Sequence, residues 1–337
     1  MIGWIAGQFL SEGTPVSCTP LGAGRVNETF LLRWKNRDTE QYVLQKLSKS
    51  AFPDPDTHMR NLRCITDHLT KNNAPMGFPV SLPARDGRYF VCDAQGFAWR
   101  MHPYLEGDAF EHCPDSPAAF ETGRAFGQFL HSLADFDVTK LTALRPDFHN
   151  TRAHLARLTK HAEAGIYPKT SEISSLLHEI DAMKSEACVI CDALADGTLP
   201  LRAVHGDTKI SNVLFDPQTH KSVAVIDLDT VMAGSPLYDF GDAVRSLGFV
   251  RQSGRMVFDE SRYDAFCEGW LPAAEPFLSK REREWLRLSV FTVTLELAVR
   301  YLDDWLTDSD YFRRPQAEKL VRAKELIACC HACGFSE

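Results

Sequence analysis

The stretch His205-Gly206-Asp207-Thr208-Lys209-Ile210-Ser211-Asn212, followed by Val223-Ala224-Val225-Ile226-Asp227-Leu228-Asp229, decides how this chain is read. The pattern H-x-D-x-x-x-x-N puts a carboxylate and an amide at the two ends of one short loop. Val204 before it and Val213-Leu214-Phe215 after it read as strands that hold the loop rigid. A second buried strand, Val223 to Ile226, then delivers Asp227 and Asp229. Phosphoryl transfer requires a carboxylate to take the proton of the attacking hydroxyl and oxygen ligands to hold a metal against the phosphates. Asp207 suits the first task, Asn212 and Asp227 the second, with Asp229 near the metal. Mg²⁺ is the expected ion, since it takes hard oxygen ligands and completes its shell with water and substrate phosphates. Singly, Asp207 and Asn212 are turn formers and Asp227 is a strand-end cap; their joint spacing is what points to phosphoryl transfer.

Working outward, the first third of the chain is strand-rich and the remainder mostly helical. Ile2, Ile5, Phe9 and Leu10 recur at helical spacing and predict a short amphipathic helix. Val16–Leu21, Glu28–Trp34 and Gln41–Leu47 read as consecutive strands, Thr57–Thr70 as a helix, and Tyr89–Ala94 with Phe97–Met101 as a hairpin. Pro103-Tyr104-Leu105-Glu106-Gly107 reads as a hinge, and a helical part begins at Pro117–Ala134. This divides the chain into residues 1–102, expected to bind nucleotide, and 103–337, expected to carry catalysis and substrate. Gly22-Ala23-Gly24-Arg25-Val26-Asn27-Glu28-Thr29 joins two strands. It is either a plain glycine-bearing hairpin turn or a loop whose backbone N–H groups approach phosphate oxygens. Late in the chain, Glu296, Arg300 and Asp304 are i, i+4 neighbours on one helix face, either a ladder of salt bridges or a substrate-facing set.

The 337 residues are 44% hydrophobic, enough for a large core. A net charge of −8 argues against nonspecific nucleic-acid binding. The N-terminal residues lack the basic segment of a signal peptide, and the apolar run Leu288–Leu302 is interrupted by Ser289, Thr292, Thr294, Glu296 and Arg300, so neither export nor a membrane span is expected. Ten cysteines without secretion signals suggest reduced thiols and a cytoplasmic location. Cys188-x-x-Cys191 and Cys329-Cys330-x-x-Cys333 are open to reading as a zinc or redox site or as buried thiols.

These motifs resemble the superfamily of aminoglycoside phosphotransferases and choline kinases. Asp207–Asn212, Ile226-Asp-Leu-Asp-Thr-Val-Met232 and Tyr238-Asp-Phe-Gly-Asp-Ala-Val-Arg245 resemble in particular its N-acetylhexosamine 1-kinases. The resemblance implies an α+β, bilobal, protein-kinase-like fold with a small antiparallel β-sheet N-lobe and a larger, mainly helical C-lobe. It implies ATP and Mg²⁺ as cofactors and a sugar hydroxyl, most closely the anomeric hydroxyl of an N-acetylhexosamine, as acceptor. Homoserine, choline or an aminoglycoside would leave the catalytic core unchanged, and a nucleotide-binding scaffold without activity is the remaining alternative. By the same resemblance Gly22, Gly24, Asn27, Thr29, Lys46, Met101 and Tyr104 bind nucleotide, and Lys46 joins Lys209 on the phosphates. An aspartate at 239 or 242 braces the catalytic loop. Glu296, Arg300 and Tyr311 join Asp207 around the acceptor, with Arg300 on the sugar. One departure is plain: no glutamate stands between Glu40 and Glu106 to pair with Lys46, and Arg60 occupies the place where one is common.

Overall fold

The computed structural model describes residues 2–10, 12–22, 26–36, 38–165 and 167–333. Helix α1 (Ile2–Phe9) leads into strands β1 (Thr14–Pro20), β2 (Glu28–Lys35) and β3 (Thr39–Lys46), then helix α2 (Pro55–Lys71), then β4 (Val91–Cys92) and β5 (Ala98–Pro103). The strands form one antiparallel sheet in the order β1-β2-β3-β5-β4. Strand alternation gives this sheet two unlike faces. Leu32, Trp34, Leu44, Trp99 and Met101 point to the face covered by Ile5 and Ala6 of α1, where all are buried. Each such large side chain contributes roughly 1.5–3 kcal/mol by leaving water. Across the register, Thr29 pairs with Gln45 and Gln45 with Arg100, so these three share the opposite face. Helix α2 begins at Asp54, whose side chain accepts from the Thr57 N–H, with Pro55 in its first turn.

The helical part contains α3 (Ser116–Ser132), α4 (Thr151–Ala164), α5 (Ser171–Ala187) and α6 (Val189–Ala195). It continues with strands β6 (Arg202–Val204), β7 (Val213–Phe215), β8 (Ser222–Val225) and β9 (Met232–Gly234), then α7 (Pro236–Leu247), β10 (Phe249–Gln252) and β11 (Arg255–Phe258). Helices α8 (Glu260–Ala274), α9 (Lys280–Glu284), α10 (Leu286–Leu306) and α11 (Gln316–Ala332) complete it. The expected α+β bilobal, kinase-like architecture is therefore the one formed. Helix α3 crosses α8 so closely that a Cβ at Gly123 would lie 2.2 Å from the Phe266 carbonyl oxygen, and one at Gly269 would lie 2.1 Å from that of Phe120. This crossing fixes α3 beneath the β7–β8 hairpin, where Arg124 donates to the Ser222 carbonyl at 2.8 Å. The segment between the lobes is tied to the same hairpin: Asp108 and Phe215 exchange two backbone hydrogen bonds of 2.8 Å, and Gly77 pairs with Val223 and Val225. The hairpin thus carries Asn212 at one end and Asp227 at the other while touching both lobes. No described helix is long and apolar enough to cross a membrane.

Candidate active site

Residues 205–212 turn tightly between β6 and β7 because the loop's own backbone is held from below. Gly206 has φ of +81°, and a Cβ there would meet the Thr230 carbonyl oxygen at 2.6 Å, so glycine is required. Asp239, buried at the start of α7, accepts from the N–H of His205 (2.7 Å) and of Gly206 (2.8 Å). Thr208 donates to the Asp239 carbonyl at 2.5 Å. Asp239 is therefore the brace that the resemblance leaves open between 239 and 242, while Asp242 pairs with Arg245 at 2.7 Å. Burial pushes the Asp239 carboxyl up to about 7 despite its two N–H donors. His205 is fully buried, with Nε2 3.0 Å from the Ile226 carbonyl and its pKa lowered by burial, so it is a neutral spacer between loop and strand.

On this frame Asn212 Nδ2 donates to the Asp207 carbonyl (2.7 Å) and lies 3.2 Å from Asp207 Oδ2, while Lys209 Nζ donates to the same oxygen at 2.6 Å. Burial works to lower the Lys209 pKa, but the Asp207 carboxylate outweighs it and holds the ammonium charged. The Asn212 side-chain nitrogen is thus turned inward, leaving the side-chain oxygen Oδ1, unlike the backbone carbonyl, without a hydrogen bond among the described residues. The Ile226 N–H donates to the Asn212 carbonyl at 2.9 Å, locking the strand end to the loop. Asp227 follows in the left-handed region at φ 62°, a conformation non-glycine residues adopt at some cost. Among the described residues its carboxylate makes no hydrogen bond or ion pair. It is open to the cleft yet closely surrounded by protein, and this desolvation, with the charges of Asp229 and Asp207, raises its pKa. A free amide oxygen beside a carboxylate crowded by like charges is a donor set that a divalent cation relieves, so Mg²⁺ fits these residues.

Asp229 is different. Arg100 donates to both its oxygens (Nη1 to Oδ1 2.5 Å, Nη2 to Oδ2 2.9 Å), Asn27 Nδ2 donates to Oδ2 at 2.8 Å, and His58 Nε2 lies 3.2 Å from Oδ1. A carboxylate offers about four acceptor positions, and all are taken. Although burial opposes it, the Arg100 and His58 partners hold the Asp229 carboxyl far below the usual carboxylate range. The sequence places Asp229 near the metal with Asn212 and Asp227; in the structure its oxygens are occupied by protein donors, unlike those of Asp227.

The parity of the sheet puts two of the expected nucleotide-binding residues, Lys46 and Met101, on the face away from Gln45 and Arg100. Lys46 shares the α1-covered face with Trp99: its Nζ pairs with Glu28 at 2.9 Å and lies 4.1 Å from the Phe97 ring centre. Met101 is fully buried on the same face, and its carbonyl accepts from the Leu82 N–H at 2.7 Å. On the opposite face Gln45 accepts from Arg100 Nε at 2.9 Å and donates to Thr29 Oγ1 at 3.1 Å. Asn27 also accepts from the Ser48 N–H at 3.0 Å, so Asn27 and Thr29 are both engaged in holding the sheet. Gly22 ends the described part of its turn and Gly24 lies outside the described residues. Tyr104 is half-buried, and its N–H donates to the Gln41 carbonyl at 3.0 Å. Arg60 turns to Thr57 Oγ1 at 3.0 Å; the α2 residue that reaches the site is His58.

On the α10 side, among the described residues, the Glu296–Arg300 contact does not continue to Asp304 as a salt-bridge ladder. Glu296 is buried and accepts from Thr151 Oγ1 at 2.9 Å and from His149 Nδ1 at 3.3 Å, with Arg300 only at 3.9 Å. Asp304 is occupied by Ser309, by the Tyr311 and Phe312 N–H groups, and by Lys319 at 3.3 Å. Arg300 instead donates to Tyr311 Oη at 2.5 Å and lies over the rings of Phe148, Tyr311 and Phe312. His149, which the motifs do not mark, stacks on Tyr238 at 4.6 Å and places Nε2 3.4 Å from the Gly206 carbonyl, so Glu296 reaches the catalytic loop through it. The cysteines are free thiols. Burial pushes Cys191 up to about 11 and Cys333 up to about 12, which keeps both protonated.

A loop that presents a carboxylate, an amide and a lysine to a second strand-end carboxylate is the equipment of a phosphotransferase. The sequence pattern of the phosphotransferase enzyme family, APH, matches residues 17–287, and the chain belongs to that family. It is similar in fold to an aminoglycoside phosphotransferase from Alicyclobacillus acidocaldarius (TM-score 0.63, 14% identity, 98% of this chain and 94% of that one). An amicoumacin kinase in complex with AMP-PNP, Ca²⁺ and Ami is similar too (TM-score 0.64, 12% identity, 96% and 91% covered). An ethanolamine kinase from Plasmodium vivax gives a TM-score of 0.57 at 12% identity, with 93% and 81% covered. Among curated proteins, mouse acyl-CoA dehydrogenase family member 11 is 23% identical over 237 residues, 66% of this chain. The match spans only 27% of that relative's length.

Proposed function

We propose that this chain is an ATP- and Mg²⁺-dependent kinase of a sugar hydroxyl, with the anomeric hydroxyl of an N-acetylhexosamine as its acceptor and a sugar 1-phosphate as its product. The observation that carries the reading is the Asp207–Asn212–Lys209 cluster facing the uncommitted carboxylate of Asp227. Asp207 accepts the acceptor's proton as the hydroxyl oxygen bonds to the γ-phosphorus; the bond to the β,γ-bridging oxygen breaks and ADP leaves. Lys209, paired with Asp207, is within reach of the charge that develops on the transferred group. Asn212 and Asp227 would hold Mg²⁺, which neutralises the phosphates when bound.

The acceptor side favours a polyol over a polycation. Arg300 brings a fixed charge to it. That charge would repel choline or an aminoglycoside, whereas a guanidinium's donors suit hydroxyl and carbonyl oxygens. A coupled ADP-release screen over hexosamines, other sugars and amino alcohols tests the acceptor. Release with amino alcohols and none with any sugar would overturn the sugar reading while leaving the phosphotransferase intact. Phosphorus–carbon couplings in the product's NMR spectrum locate the ester, and a 6-phosphate would overturn the anomeric assignment.

A further inference from the structure

With Lys46 turned onto the α1-covered face, the opposite face of the sheet carries a buried cation at its centre, Arg100, while Arg33 and Lys35 at the far end of β2 are exposed. Arg100 is an isolated charge in the apolar strand Ala98–Met101, its side chain 7% exposed. Such a residue is retained in a buried strand only with full compensation. The compensation comes from two directions, Gln45 of β3 at Nε and both oxygens of Asp229 from the catalytic lobe, while His58 of α2 bonds the same Asp229 carboxylate through Nε2, 3.4 Å from Nη1. His58 is itself wedged against Phe52 at a ring distance of 4.2 Å. The clasp therefore joins β3, β5, α2 and the turn after β8, with Asn27 adding the glycine-loop segment.

We propose that Arg100 is the nucleotide lobe's phosphate-facing cation, and that Asp229 holds Arg100 in place and is no ligand of the metal. The proposal rests on the kinase reading above. In protein kinases a lysine–glutamate ion pair between a strand and a helix fills this role and must be assembled for catalysis. Here a strand arginine, an aspartate of the other lobe and a helix histidine would assemble the same function, which explains why α2 needs no glutamate. Guanidinium has five N–H donors, and three are taken by Gln45 and Asp229, so two remain. Arg100 is a positioning residue for the lobes as well, since releasing it frees Asp229, His58 and Gln45 together.

The test is ADP binding to the full chain by calorimetry, in Mg²⁺ and again in EDTA, with no acceptor needed. Arg100→Gln and Asp229→Asn should each weaken ADP about tenfold or more in both buffers, because a phosphate-facing cation acts with or without the metal. Arg100→Lys should recover part of the loss, and Lys46→Met should stay within about twofold of the unchanged chain. If Arg100→Gln does not fold, Arg100→Lys and Asp229→Asn carry the same two-buffer comparison. A loss in Asp229→Asn confined to the Mg²⁺ buffer would make Asp229 a metal ligand and overturn the proposal. So would a lowered thermal midpoint with unchanged ADP affinity, or a larger loss in Lys46→Met than in the Arg100 variants. An unsubstituted chain that binds no ADP in either buffer would overturn the nucleotide reading itself.

Discussion

The loop of residues 205–212 and the face of the first sheet that carries Arg100 meet at the turn after β8, but they are built from opposite kinds of contact. In the loop, Asp207, Lys209 and Asn212 bond one another within five residues of chain. On the sheet face, Arg100 and Asp229 are 129 residues apart, and His58 and Asn27 reach the same carboxylate from still further along the chain. Asp227 and Asp229 belong one to each region. The first is left uncommitted and crowded by like charge; the second is saturated by four donors. Two carboxylates separated by a single residue thus acquire different work from their surroundings, a division that environment alone can impose.

The sharpest way to break this comparison is at the loop. Asp207→Asn keeps the volume and the Lys209 and Asn212 neighbours but cannot take a proton, so turnover should fall by about 10²- to 10⁴-fold with nucleotide affinity nearly unchanged. Steady-state rates near those of the unsubstituted chain would remove Asp207 from the role of base. The next largest effect belongs to the turn. Asp227→Ala should weaken MgADP by at least about 10- to 100-fold, the scale found even for groups that only support a metal's ligands, yet leave metal-free ADP binding in place. Calorimetry that shows equal losses with and without Mg²⁺ would mean that Asp227 acts otherwise than through the metal.

What could be read beforehand follows the same division. The loop was legible because its bonds are local, so residue spacing encodes geometry directly. The strands of the first lobe were legible from alternation, and the shift at Lys46 shows where that reading stops. Alternation groups Tyr42, Leu44 and Lys46 on one face, but which face meets the cleft is decided by α1 and its Ile5 and Ala6, packed from elsewhere. Arg100 did leave a signal, a lone charge inside an apolar strand, which demands a partner without saying whose. His149 left none: it lies in the irregular segment before α4, and only the fold brings its ring between Glu296 and Gly206.

A smaller effect is expected at α10. Arg300→Ala removes a charged group that is held in its aromatic surround by Tyr311 and is not bound into a ladder. It should raise the Michaelis constant for the acceptor far more than that for ATP, by an amount consistent with one charged hydrogen bond, roughly 1.5–3 kcal/mol. A change in thermal stability with both constants unchanged would return Arg300 to a packing role.

The smallest effect lies in the link between that helix and the loop, and its sign can be worked out. His149 has a raised pKa: burial works to lower it, but the hydrogen bond and charge of Glu296 outweigh this, against opposition from Arg300 and with Asp242 adding to the rise. A group whose folded pKa lies above its unfolded value of about 6.5 contributes stability that is complete below that value and is lost as pH rises through the folded one. Glu296 is shifted the other way; burial works to raise it, and His149, Arg300 and His154 together bring it down. Its contribution is present above about 4.5 and is lost as pH falls through the lowered value. The pair is therefore at full strength in the mildly acidic range and weakens on the alkaline side through His149. Neighbouring His154 has its own pKa lowered by burial, which works against its gaining a proton in that window. Thermal midpoints measured from about pH 6 to 9 should show the unsubstituted chain losing about 1–2 °C more than His149→Gln, a shift small for a chain of this size. Parallel curves for the two proteins would show that His149 is held neutral at both ends of the range, and that Glu296 steadies the catalytic loop by hydrogen bonding alone.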